Sequence, residues 1–468
     1  MTTVQRWTLA VVCAATAILM LDIAVVNTAL SNIASDLDTG LHGLQWVVDA
    51  YTLALATIVL TAGSLADRYG RRRVFGIGLV VFTSMSAVCA AATSIAMLDA
   101  ARAVQGLGAA AMFATSLALL ADAFPDARAR AGALAAYGAT IGGSFAIGPA
   151  VGGALTSGLG WRWVFLVNIP IGVLCLYATI ARVRESRESH ARPVDKAGLV
   201  TLTGGLFLLV LGLLRGNELG WGSATIVAEL AGAAVLLTAF VAIQARGRMP
   251  MLPLSLFRSG AFTGAQATAF AISASYFAIF LYATIYLQQV LGLSAVEAGL
   301  VYLPSTLIML VVSGATAQLT EKGVHPGMLI SGGLLLVAIG MALLTMLDAD
   351  SSWTAVLPGT IVAMIGTGLF NPAVTAVALG SVPPEQSGLA AGVNDTFRQA
   401  GIAVGVAALG AMIPQDVLSG GSVTAYVDGL RTAMLAGAAL AAAGAIAGAL
   451  LIRRDAVAAA HEPAAEAA

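Results

Sequence analysis

Fourteen stretches of about 20 residues in this chain are nearly free of charge, and a helix of that length crosses the hydrocarbon core of a bilayer. They fall at roughly 7–30, 45–63, 74–96, 98–123, 130–157, 163–182, 197–215, 222–245, 261–290, 296–320, 327–347, 353–379, 387–413 and 429–452. Only 10% of the residues are charged and the mean hydropathy is +0.91, whereas a soluble protein carries roughly 25% charged residues. So few charges cannot coat a globular surface, and lipid must be the solvent for most of the chain. The first run follows a single base, Arg6, and could pass for a secretory leader with small residues from Ala29 to Ala34. It is too long for that, and many similar runs follow, so an uncleaved first span is expected. The fold class is therefore an all-α membrane protein with 14 transmembrane helices.

Loop charges test the count. If the chain starts inside, most of its 23 Lys and Arg residues fall in inner loops, with clusters at Arg68–Arg73, Arg182–Lys196, Arg246–Arg258 and Arg453–Arg454. Asp36, Asp38, Asp348, Asp350 and Asp416 fall outside. This is a positive-inside pattern, and both termini are expected in the cytoplasm. The organisation reads as six, two and six helices. Residues 1–183 form one six-helix bundle, 184–260 a basic loop plus an inserted helix pair, and 261–452 a second six-helix bundle. Residues 453–468 are an Ala-rich disordered cytoplasmic tail. The two bundles have nearly equal length, as an internal duplication requires.

Between the second and third runs lies Gly63-Ser64-Leu65-Ala66-Asp67-Arg68-Tyr69-Gly70-Arg71-Arg72-Arg73, which reads as a tight turn at the membrane surface. A positive-inside anchor would explain the arginines but not the glycines and the acid at these spacings. The stretch resembles the major facilitator superfamily signature Gly-x-Leu-Ala-Asp-Arg-x-Gly-Arg-(Lys/Arg) throughout. The resemblance implies two repeated halves around a midplane site, with Gly63, Asp67, Arg68, Gly70 and Arg71 acting as a conformational latch. A weak echo, Ala317–Gly323, falls between the tenth and eleventh runs, where the repeat requires it.

Ionisable residues inside spans are costly and mark sites by default. Asp22 sits in Leu21-Asp22-Ile23-Ala24-Val25-Val26-Asn27-Thr28-Ala29-Leu30, which is similar to the first-helix signature of fourteen-helix drug:proton antiporters, although Ser31 replaces that family's proline. Arg102 belongs to Arg102-Ala103-Val104-Gln105-Gly106-Leu107-Gly108-Ala109, matching the family's Arg-x-x-Gln-Gly-x-Gly-Ala. The resemblance implies proton coupling by Asp22, with Arg102 as a fixed positive charge beside it; a local pair with Asp99 is the plainer reading of Arg102. Asp49, in the second run, resembles the acid of members that export cationic lipophilic drugs; an interfacial acid reaching water is the plainer alternative. Gly148, Pro149, Gly152 and Gly153 lie in Ser144-Phe145-Ala146-Ile147-Gly148-Pro149-Ala150-Val151-Gly152-Gly153, which resembles the antiporter pattern Gly-x-x-x-Gly-Pro-x-x-Gly-Gly and implies export.

Other features exclude more than they assign. There is no phosphate-binding Gly-x-x-x-x-Gly-Lys-(Ser/Thr) loop, so ATP does not drive the process. The four histidines are scattered, the three cysteines lie in apolar runs, and the net charge of −1 gives no hint of nucleic acid. No metal, cofactor or enzymatic activity is expected. The expected partners are a small-molecule substrate, protons and the lipid bilayer, with the chain acting as a monomer in a bacterial inner membrane. The expected function is proton-coupled export of small lipophilic, cationic drugs. A dedicated exporter of one metabolite or antibiotic is the nearer alternative, and a transport-inactive sensor or scaffold the farther one. Asp395 and Arg398, one turn apart, and Glu229 receive no role.

Overall fold

The computed structural model describes residues 1–187, 195–247, 250–382, 387–414 and 421–452. The tail assigned to 453–468 lies outside the described residues, as does the side chain of Asp67. The described chain is helical throughout. Its elements are α1 (Thr3–Asp36), α2 (Leu41–Tyr69), α3 (Arg71–Ala90), α4 (Ile95–Ala123), α5 (Ala127–Leu159), α6 (Trp163–Leu166), α7 (Asn168–Arg182), α8 (Lys196–Leu219), α9 (Ala224–Arg246), α10 (Gly260–Ile272), α11 (Ala278–Ile285), α12 (Ala295–Glu321), α13 (Pro326–Leu344), α14 (Val356–Gly380), α15 (Ser387–Gly410) and α16 (Val423–Leu451). Among the described residues, 11 segments are long and apolar enough to cross a membrane. The helices α2, α5 and α15, of 29, 33 and 24 residues, each include residues whose side chains lie outside the description.

Helix starts are set by small polar residues that satisfy the first free amides. Thr2 and Gln5 form a reciprocal capping box at α1, and Ser294 and Glu297 form another at α12. Two expected spans are interrupted. Trp163–Arg182 breaks at Val167 into α6 and α7. Gly260–Val290 contains wider π turns at Ser273–Phe277 and Tyr286–Val290, on either side of α11. The expected surface turn at 63–73 is shorter than the charges suggest. α2 continues through Arg68 to Tyr69, and Gly70 alone separates it from α3. Asp67 therefore stands in the last turn of α2. Gly70 adopts φ 112°, a backbone angle that side chains with a Cβ rarely tolerate. α1 likewise runs on past Ser31 to Asp36, because no proline stops it there.

The helices α1–α7 pack on one another, chiefly α2 on α4, α3 on α4 and α1 on α5. The helices α10–α16 do the same, chiefly α13 on α14, α12 on α14 and α13 on α16. The two groups meet where α5 packs on α12, α2 on α15 and α1 on α11. Without a hydrophobic drive in lipid, close backbone approach carries such packing. A Cβ at Gly106 would collide with the Tyr51 carbonyl, and one at Gly340 would crowd that of Gly359. The α8–α9 pair is tied by an Arg215–Glu229 ion pair of 2.6 Å, which gives Glu229 a structural partner.

Candidate functional site: a buried carboxylate and its donors

Asp22 of α1 is 1% exposed, and its carboxylate is held by three side chains from other helices. Arg102 Nη1 donates to Oδ2 at 2.5 Å, while Gln105 Nε2 and Asn168 Nδ2 donate to Oδ1 at 3.1 and 2.8 Å. Gln105 also accepts from Arg102 at 2.8 Å and donates to Ser86 Oγ at 2.9 Å. Arg102 itself donates through Nε to the Val47 carbonyl at 3.0 Å, and its guanidinium lies 4.2 Å over the Tyr51 ring. The plainer pairing with Asp99 is not adopted; Asp99 Oδ1 has no hydrogen-bond partner.

A buried ion pair repays its desolvation only when further hydrogen bonds satisfy both ions. Here Asp22 accepts from three side chains and Arg102 donates to three acceptors, so the charges of the pair are met inside this buried site. A proton added to Asp22 would weaken its contacts to α4 and α7 together. The arrangement can therefore convert one protonation into the release of one helix from two others.

Asp49 of α2 presents the opposite case. It is fully buried, and neither carboxylate oxygen has a hydrogen-bond partner. The plainer reading of an acid reaching water is not what the structure shows. Two residues earlier, Val47 accepts from Arg102, so Asp49 follows directly on the backbone that touches the Asp22 cluster. One turn earlier, Gln45 Nε2 donates to the Tyr282 hydroxyl at 2.9 Å, which itself donates to the Val406 carbonyl at 2.5 Å. Asp49 thus lies where α2 meets α11 and α15. Oxygens left without donors are suited to a proton or to a cation.

The remaining expected residues are placed elsewhere. The glycines of α5 are contact points: a Cβ at Gly148 would strike Ala24, one at Gly152 would strike Thr28, and one at Gly153 would strike the Ala295 backbone. Pro149 offers its carbonyl to Gly299 of α12. At the α2–α3 junction, Glu185 accepts from the Arg72 amide at 3.0 Å, and Ser186 accepts from that of Arg71 at 2.8 Å. Glu185 also lies 3.7 and 3.8 Å from the Nε atoms of Arg72 and Arg73. The chain after α7 thereby neutralises the positive start of α3. Sequence reasoning missed Glu185, Ser86 and the roles of Gln105 and Asn168. Gln105 carried a local signal, one turn from Arg102 in the same motif.

The Major Facilitator Superfamily model matches residues 12–406. "Multidrug resistance protein Stp" of Mycobacterium tuberculosis (strain CDC 1551 / Oshkosh) is 36% identical over 395 residues, covering 84% of this chain and 73% of its own. "Cephamycin export protein CmcT" of Amycolatopsis lactamdurans is 37% identical over 407 residues, covering 86% and 83%. Among solved structures, the human organic anion transporter MFSD10 superposes with a TM-score of 0.66 over 95% of this chain and 99% of that one. At 17% identity that likeness is one of fold.

Proposed function

The chain belongs to the major facilitator superfamily, and we propose that within it this membrane transporter exports small lipophilic compounds, cationic ones included, in exchange for protons. The observation that carries the proposal is the three-donor hold on Asp22, a buried carboxylate whose protonation state governs contacts among α1, α4 and α7. The direction of transport rests on the α5 glycine pattern and on relatives named for multidrug resistance and antibiotic export.

In this reading fourteen helices span a bacterial cell membrane, with both termini in the cytoplasm and a single chain as the working unit. Residues 1–183 and 261–452 rock against one another, and 184–260 carry the inserted pair. Protons pass at Asp22 beside Arg102. Asp49 receives the positive charge of the substrate. Gly63, Asp67, Arg68, Gly70 and Arg71 latch one of the two states.

Proteoliposomes test this directly. Asp22→Asn should abolish export driven by a pH step, while drug binding survives in part. If the variant still concentrates drug against its gradient in response to the step, proton coupling does not run through Asp22. Asp67→Asn should cripple transport with membrane insertion intact; normal export by a well-expressed variant would remove the latch role. A second reading, a dedicated exporter of one antibiotic, is favoured by relatives named for single compounds. Export of several unrelated drugs by one preparation would exclude it.

A further inference from the structure

We propose that Asp395, Arg398 and Gln399 of α15, with Tyr51 of α2 and Tyr137 of α5, form a second ligand subsite, distinct from Asp49 and built for a zwitterionic molecule. The proposal rests on the exporter reading above and adds a substrate class to it.

Asp395 and Arg398 are one helical turn apart, a spacing that favours mutual neutralisation. Yet among the described residues no salt bridge within 4.0 Å joins them. Each keeps a buried atom without a hydrogen-bond partner, Oδ2 of Asp395 and Nε of Arg398. Gln399 bonds to Asp395 through its side chain, and its own Oε1 is also unpartnered. Asp395 and Gln399 are each 3% exposed. Across the seam, α15 packs on α2, and the charge of Asp395 reaches Tyr51, whose hydroxyl is buried and unpartnered. The charges of Asp395 and Arg398 both reach Tyr137, which sits beside Thr16.

Native proteins rarely leave buried polar atoms unsatisfied, and each instance calls for an explanation. Four of them here, from two helices that belong to different groups, converge on one seam. Their chemistry is mixed: a carboxylate, a guanidinium, an amide oxygen and a phenol. A lone cation would meet Arg398, and a lone anion would meet Asp395. A ligand carrying both an ammonium and a carboxylate satisfies the two at once, with the Tyr51 hydroxyl as a further hydrogen-bond partner and the Tyr137 ring offering flat apolar contact. Asp49, by contrast, forms no ion pair among the described residues, leaves both carboxylate oxygens without a partner and suits a simple cation.

Binding to the purified full-length protein in nanodiscs separates the two sites. Ciprofloxacin, a fluorescent zwitterion at neutral pH, and ethidium, a permanent cation, serve as probes. Arg398→Gln should weaken ciprofloxacin roughly tenfold or more and leave ethidium nearly unchanged. Asp49→Asn should do the reverse. Asp395→Asn should weaken ciprofloxacin by a similar factor, and Tyr137→Phe, which retains the ring, by less. Thermal unfolding and size exclusion identify any variant that has lost its fold; Arg398→Gln then stands on the ethidium arm. Ciprofloxacin affinity unchanged in both α15 variants would overturn the subsite. So would equal loss of both probes from a well-folded Arg398→Gln protein, which would make the pair structural. If the wild-type chain binds and exports ethidium but not ciprofloxacin, the zwitterion class falls and the exporter reading stands. If it binds and exports neither, both fall.

Discussion

At the scale of residues, Asp22 is held by three donors from two other helices. Removing one partner of a buried hydrogen bond costs about 1–3 kcal/mol. Asn168→Leu removes the 2.8 Å bond to Oδ1 and should lower both the unfolding temperature and pH-driven export. Thermal unfolding and transport assays in proteoliposomes read the two effects; both unchanged would mean that Asn168 only packs. The Asp22–Arg102 pairing was legible in the sequence because charges inside spans are rare and two of opposite sign invite each other. Asn168 and Ser86 were not, because an uncharged polar residue in a span is common and gives no partner away. Glu185 was harder still: it lies in a charged loop, 113 residues from the amide it binds.

At the scale of elements, the α2–α3 junction concentrates its constraints at Gly70. A Cβ there would lie 2.7 Å from the Glu185 carboxyl, on a backbone with φ 112°. Gly70→Ala should lower the unfolding temperature, at a cost of about 1–2 kcal/mol for the left-handed angle alone. Glu185→Ala should relieve the crowding and lose the cap on α3. The double variant should then recover part of the stability lost in Gly70→Ala, and thermal unfolding of the three proteins checks it. If the losses simply add, Glu185 and Gly70 act independently. The spans themselves were readable from apolar runs, but their ends were not. Charges at the end of α2 sit on a helix that runs on to Tyr69, so the tight turn expected within 63–73 contracts to Gly70 alone. The break at Val167 and the π turns beside α11 left no mark either, since the residues that fill the π turns, Ser273, Tyr276 and Gln288 among them, also occur in regular membrane helices.

At the scale of the whole molecule, α1–α7 and α10–α16 form two packed groups, and Gly323 follows α12 at φ 86° as Gly70 follows α2 at φ 112°. What the sequence could not supply is which helices meet across the two groups, since no local pattern encodes that contact. The energetics of exchange belong to this scale. A proton entering the cell yields about 1.4 kcal/mol per pH unit and about 2.3 kcal/mol per 100 mV. One proton exchanged for one monovalent cation moves no net charge, so one pH unit sustains about a tenfold gradient. Two protons restore the voltage contribution, for a total of about 5 kcal/mol and a gradient of several thousandfold. Asp22 and Asp49 would provide two protonation sites for that stoichiometry. Asp49→Asn should therefore spare neutral substrates and weaken export of cationic ones, divalent ones most. Proteoliposome currents resolve the two roles of Asp49, and equal loss of neutral and cationic substrates would make it structural. The seam between α5 and α12 bears on how fast such a cycle runs. Where Gly153 meets the Ala295 backbone and Gly299 meets the Pro149 carbonyl, main chain rests on main chain, and no rotamer would have to be exchanged if the surfaces slid. Such a seam would be a bearing with little friction. A single methyl group, as in Gly299→Ala, would score it, and the damage would register as slower turnover with the grip on substrate unaltered.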